Sequence, residues 1–98
     1  MTHVLSLRHR VQDFESWKTV FDQRLNARLQ GKVTGHRLTR SAGDPNDVEV
    51  VMEFATQADA EAYRDYMNQP QTREPLAQAG VDEHAPMWIG EQIEVASY

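Results

Sequence analysis

Cysteine is absent from the 98-residue chain, which removes disulfides, thiolate metal sites and a cysteine nucleophile together. No apolar run approaches the ~20 residues that a membrane helix needs. Met1-Thr2-His3-Val4-Leu5-Ser6-Leu7-Arg8 has neither a long apolar region nor a small-residue cleavage site, so no signal peptide is expected. Basic charge is scarce. Ten Lys and Arg against 15 Asp and Glu leave a formal net charge of -5, and no basic stripe offsets the repulsion a polyanion would meet. Phosphate-binding Gly-rich loops, a dinucleotide fingerprint and a Gly-x-Ser-x-Gly elbow are all missing. Asp82-Glu83-His84 groups three metal-ligating residue types, but they are consecutive in a loop and lack ligand spacing. These absences lead to the expectation of a soluble cytoplasmic protein with no cofactor, no metal, no nucleic-acid partner and no membrane partner.

What is present reads as one folded domain over residues 1–98, with 40% hydrophobic and 26% charged residues. His3 to Val11 is short, β-prone and flanked by polar residues, the signature of a strand. Asp13 is a good N-cap. Phe14, Trp17, Phe21, Leu25 and Leu29 form an apolar stripe on a helix of about four turns, with Gly31 at the position of a left-handed C-cap. Val33 to Ala42 and Val48 to Ala55 read as two strands around the turn signal Gly43-Asp44-Pro45-Asn46-Asp47. Thr56 and Asp59 resemble a capping box for a helix to about Asn68, with Ala58, Ala62, Tyr63, Tyr66 and Met67 on its inner face and Pro70 as its stop. A short helix from about Thr72 to Ala79, with Pro75 in its first turn and Gly80 at its end, precedes a last strand, Met87 to Ala96.

Strand, helix, hairpin, helix, strand is the ferredoxin-like β-α-β-β-α-β order of an α+β fold: a four-stranded antiparallel sheet with helices on one face. The other sheet face carries a mixture of apolar and charged side chains. Two such sheets packing face to face would cover it, so a homodimer is expected, and a small domain with a thin core gains from that association.

The segment Arg8-His9-Arg10-Val11-Gln12-Asp13-Phe14-Glu15-Ser16-Trp17-Lys18, followed by Phe21-Asp22, resembles the opening of dimeric α+β barrel proteins. It is most similar to small proteins near the antibiotic biosynthesis monooxygenases and polyketide cyclases. The likeness continues through Arg37 to Arg40, Asp44-Pro45-Asn46, Val50 to Phe54 and Ala79-Gly80-Val81. The resemblance implies a dimer whose two sheets form a barrel, with a pocket for a small molecule between sheet and helices in each subunit. It also implies chemistry of a cofactor-free oxygenase or cyclase acting on aromatic or polyketide-like substrates, although one fold hosts several chemistries. Plant polyketide cyclases of this type carry Tyr-x-x-x-Pro-x-His. Here Tyr66 and Pro70 are in place and Thr72 stands where the His would be, and a hydroxyl is no general base near neutral pH.

Candidate site residues follow. A four-residue Gly43–Asn46 loop would place His36 opposite Glu53, Leu38 opposite Val51 and Arg40 opposite Glu49, two opposite-charge pairs on one face. A carboxylate beside His36 would raise its basicity, or the pair is simply structural. His9 shares parity with Leu5 and Leu7 and so should lie on the same face as those apolar residues; Arg8 should point to the opposite face, one of the two facing the helices and the other the partner sheet. His9, His36 and Tyr66 are the catalytic candidates, the first two as acid/base and Tyr66 as donor to a developing oxyanion. Arg8 or Arg37 would anchor substrate, and Glu53 belongs with them through His36. Trp17, Tyr63 and Trp88 would shape an aromatic pocket, although aromatics at helical spacing are more often plain core. The alternative is a non-catalytic ligand-binding or accessory dimerisation domain that uses the same pocket or surface.

Overall fold

The computed structural model describes residues 1–72 and 86–98. The predicted helix through Ala79, with Pro75 and Gly80, and the Asp82-Glu83-His84 loop lie outside the described residues. Four strands, β1 (His3–Arg10), β2 (Gly35–Ser41), β3 (Asp44–Phe54) and β4 (Met87–Glu91), form one antiparallel sheet in the order β2-β3-β1-β4. Helices α1 (Phe14–Gln23), α2 (Leu25–Gln30) and α3 (Gln57–Met67) complete the described elements. The expected ferredoxin-like arrangement is therefore present.

Strand β3 organises it. Val48, Val50, Met52 and Phe54 alternate along one face and are all buried, and they pair across β1 with His9, Leu7, Leu5 and His3. On that face Phe54 meets Tyr63 of α3 at 5.8 Å between ring centroids, and His9 meets Trp17 of α1 at 5.6 Å. Both long helices thus cover the same side. The opposite side carries Val4, Ser6, Arg8, Arg10, Arg37, Thr39, Asp47, Glu49, Val51, Glu53 and Trp88, with ion pairs Arg8–Asp47 (2.6 Å), Arg10–Asp44 and Arg37–Glu53 (3.4 Å).

The hairpin differs from its sequence reading. Ser41 pairs with Asp44, so only Ala42 and Gly43 turn, and a bulge between Arg40 and Ser41 shifts the register. His36 then lies opposite Met52, Leu38 opposite Val50 and Arg40 opposite Val48. The proposed His36–Glu53 and Arg40–Glu49 pairs do not form; Glu53 instead meets Arg37. Burial decides this. Seating Leu38 against the core is worth ~1.5–3 kcal/mol at full burial, whereas a cross-strand charge pair brings ~0.2–1 kcal/mol. The bulge also serves β1 and α1. Asn46 O accepts from Val11 N, and its side chain accepts from Phe14 N and donates to Gln12 O.

The first helix is likewise two helices. Asp13 caps α1 through Ser16 N (2.9 Å), as expected. At Arg24 the backbone leaves helical geometry, and the Phe21 carbonyl accepts from Arg24 N and from the Arg28 guanidinium. Leu25 and Leu29, expected on the inner stripe, are 50% and 61% exposed. In their place the stripe continues from Phe14, Trp17 and Phe21 to Arg24 and Arg28, the positions that a three-four spacing selects. Thr56 caps α3 by accepting from Asp59 N, and Ala60 and Tyr63 fill its buried face; Ala58 and Ala62, expected there, are exposed. Pro70 ends nothing. It opens a new helical turn, which suits its missing N–H. Strand β4 stops at Glu91 rather than Ala96.

Gly31 is not the left-handed residue. Its φ is -79°, and Lys32 takes the positive value of 65°. Gly31 is small for another reason: a Cβ there would fall 2.3 Å from Tyr63 Cδ1, on a buried ring. Opposite effects are expected at these neighbouring positions. Gly31→Ala should cost ~1–3 kcal/mol by overpacking. Lys32→Gly should gain ~0.5–1 kcal/mol by relieving the left-handed backbone, since the exposed contact to Asp59 at 3.7 Å contributes little. Urea unfolding midpoints of the two variants check both signs.

Candidate functional site

The site is built by the inner stripe of α1 and α2 lying over β1 and β2. Phe14, Trp17 and Phe21 recur at helical spacing, so their rings form one row, with centroids 5.9 Å and 5.2 Å apart. Cationic and imidazole groups interleave with it. His9 packs edge-on against Trp17, His36 edge-on against Phe21 at 5.1 Å, and the Arg28 guanidinium lies 3.8 Å over Phe21. Arg40 covers Phe14 at 4.5 Å. The bulge that overturned the His36–Glu53 pairing is what turns His36 to this face.

His9 faces inward with Leu5 and Leu7, as its parity predicts. Its Nε2 is buried and has no hydrogen-bond partner. Burial holds its pKa below the ordinary histidine value, so the imidazole is neutral near pH 7. His36 is also lowered, first by desolvation and then by Arg28 and Lys18. It sits at the sheet edge and is more exposed.

Across the row, α3 contributes tyrosines. Tyr63 is buried, and burial raises its pKa. Tyr66 stacks on it at 5.6 Å and its hydroxyl accepts from Arg24 Nη2 at 3.1 Å. An open cleft of about 320 Å³ separates α2 from α3, lined by Ala27, Gln30 and Gly31 on one side and Asp59, Ala62, Tyr63 and Tyr66 on the other. The cleft lies between helices, whereas the expectation put a pocket between sheet and helices. Its inner wall is the Tyr63 ring, which also packs on Phe54.

The predicted residues therefore divide by face. His9, His36, Trp17, Tyr63 and Tyr66 all lie on the helix side, the first three along the aromatic row and the two tyrosines at the α2–α3 cleft. Arg8, Arg37, Glu53 and Trp88 lie on the other side; Trp88 is 66% exposed and rests against Gly90, where a Cβ would meet its ring at 2.4 Å. Two residues of the site escaped the sequence reading, Arg24 and Arg28. The signal was there in the three-four spacing, but apolar Leu25 and Leu29 one position away were read in their place.

No protein-family model matches the chain, and no curated protein matches it. Solved structures do. A Bordetella bronchiseptica protein provisionally named an antibiotic biosynthesis monooxygenase superposes with a TM-score of 0.74 at 14% identity, over 95% of this chain and 98% of that one. SnoaB, a cofactor-independent oxygenase from Streptomyces nogalater, gives 0.70 at 14% identity, over 96% and 95%. The chain has the antibiotic biosynthesis monooxygenase-like fold. A Nitrosomonas europaea protein, also provisionally named for that activity, gives 0.71 at 17% identity, over 94% and 90%. At such identities this likeness concerns the fold.

The lowered histidine pKa values set a pH dependence. A histidine whose folded pKa lies below its unfolded value of ~6.5 binds protons first in the unfolded chain, so stability is complete above ~6.5 and falls as pH drops towards the folded pKa. Denaturant titrations between pH 7 and pH 5 should show this loss, and His9→Phe should make the slope shallower, leaving the part due to His36. Asp13, Asp44 and Asp47, held below the usual carboxylate range by hydrogen bonds and by arginine, act only at lower pH.

Proposed function

We propose that the chain acts as a homodimer and binds a small aromatic or polyketide-like molecule on its helix side, where His9 is the acid/base of cofactor-independent oxygenation or cyclisation. The observation that carries this reading is the His9 Nε2 atom, buried, neutral and without a partner beside Trp17. A neutral imidazole in a dry aromatic setting is suited to take a proton from a phenol or an enol. In oxygenation, the resulting electron-rich anion adds dioxygen, and loss of water with the proton returned from His9 turns a CH2 group into a carbonyl. Dioxygen is the oxidant and water the second product. Tyr66 donates to the developing oxyanion, and Trp17 and Tyr63 shape the ligand space.

An opening on the helix side lies between α2 and α3. Helix α2 has six residues, two exposed leucines and a break before it, features of a lightly anchored element. Its ties to the rest include the Arg28–Phe21, Arg24–Tyr66 and Lys32–Asp59 contacts. A non-catalytic binding module remains the second reading, supported by the absence of either His9 or His36 from the lining of that cleft.

The dimer reading rests on the open sheet face, where Arg8, Arg37 and Trp88 sit beside Asp47, Glu53 and Val51, a mixture that suits a self-complementary two-fold contact. Sedimentation equilibrium should give twice the 11.2 kDa chain mass, and Trp88→Asp should shift the protein to monomer.

The activity is tested by oxygen uptake with a tricyclic phenolic ketone that bears an oxidisable CH2 group. Uptake without added flavin or metal is expected, with kcat reduced ~10²–10⁴-fold in His9→Phe, the usual contribution of a positioned acid/base. Saturable binding without uptake by wild type would leave the binding module.

A further inference from the structure

Helices α2 and α3 run antiparallel along the open cleft of about 320 Å³ and meet at both of its ends. At one end Arg24, just before α2, donates to Tyr66 in the last turn of α3 at 3.1 Å. At the other end Lys32, just after α2, reaches Asp59 in the first turn of α3 at 3.7 Å. Between these contacts the walls are small or apolar, with Ala27 and Gly31 facing Ala62 and the Tyr63 ring. Tyr66 follows Asp59 by two turns of α3, which makes the trough ~10 Å long at the rise of an α-helix.

The two ends differ in charge. Lys32 and Asp59 offset one another. Arg24 forms no ion pair among the described residues. Arg28, one turn on and buried with its Nε unpartnered, adds a second cation beside it. The Tyr66 hydroxyl accepts from Arg24, which leaves its own proton for a ligand. An anion at that hydroxyl meets an O–H donor backed by a guanidinium, a charge-assisted arrangement. A second negative charge at the far end would face Asp59. A volume near the lower limit of ligand pockets, with apolar walls and one cationic end, suits a slender molecule with a single charged head.

We infer that the α2–α3 cleft binds a short aliphatic monocarboxylate, with its carboxylate at Tyr66 and Arg24 and its chain along Ala27, Ala62 and the Tyr63 ring towards Asp59. This goes beyond the function proposed above. The cleft shares Tyr63 and Tyr66 with that reading, but neither His9 nor Trp17 lines it, and its occupancy requires no turnover.

The probes are octanoate, octanol and the dicarboxylate suberate, each titrated calorimetrically into the full chain. Octanoate should bind saturably and ~10–100-fold more tightly than octanol, the range of a hydrogen bond to a charged group. Suberate should bind more weakly than octanoate, because its second carboxylate meets Asp59. Arg24→Gln should bring octanoate down to the affinity of octanol. Ala62→Leu, at an exposed position of α3 where leucine is a good helix former, should fill the trough and abolish saturable binding of both. If Arg24→Gln does not fold, Ala62→Leu and the wild-type ratios still decide. Equal binding of octanoate and octanol to wild type would overturn the anionic head, and tighter binding of suberate would overturn the single charge. No saturable binding of octanoate, or binding unaltered in Ala62→Leu, would overturn the site itself. None of these outcomes depends on oxygen uptake.

Discussion

The burial of four alternate residues on β3 governs the rest of this structure. Because side chains on a strand alternate with a period of two, seating Val48, Val50, Met52 and Phe54 against the helices determines the face of every residue paired with them. On one side it turns His9 inward together with Leu5 and Leu7. On the other it turns His36, Leu38 and Arg40 to the same layer, and it leaves Arg37 and Glu53 to meet on the far face. A slip of one residue would exchange these sets. The imidazoles would leave the aromatic row and the acidic residues would enter the core, at a cost no surface ion pair could offset.

Much of the architecture was legible because its signals are local and redundant. Asp13 and Thr56 announce two helix starts, Gly43 marks a turn, and the alternation on β3 is plain. The strand and helix order then points to one topology. His9 was legible in part, since parity puts it on one face with Leu5 and Leu7, while which sheet face that is depends on the packing of the helices. The hairpin was less so. Charge complementarity favoured one pairing and the burial of Leu38 another, and the three residues of the bulge, Pro45 to Asp47, cannot be counted from composition. Their placement lets Asn46 make three hydrogen bonds, to Val11 and Gln12 in the link after β1 and to Phe14 at the start of α1.

The arginines were hidden for a different reason. A search for amphipathic stripes weighs apolar residues, so Leu25 and Leu29 drew the eye and Arg24 and Arg28 did not. The structure inverts that order, exposing two leucines and burying a guanidinium. Long cationic side chains can lie along apolar surface while their heads find partners, and here the heads find the Phe21 carbonyl, the Phe21 ring and the Tyr66 hydroxyl. The same contacts interrupt the helix. With the Phe21 carbonyl accepting from Arg24 N and Arg28 Nη1, the chain restarts as a separate short helix, and the glycine that follows is shaped by Tyr63 rather than by the need for a left-handed turn.

Local rules fail together at one place in this molecule. The helix break, the inverted stripe, the positive φ at Lys32 and the two orphaned polar atoms all belong to the region where α1 and α2 meet β1, β2 and Tyr63. Departures of this kind persist where something other than stability holds them, because each is a modest cost and a small domain has little to spare. The opposite sheet face pairs its charges, Arg8 with Asp47 and Arg37 with Glu53, and leaves Trp88 exposed. Asp13 and Thr56 cap α1 and α3 in the regular way. That concentration of exceptions lies around Trp17 and Phe21, the row on which the proposed function rests.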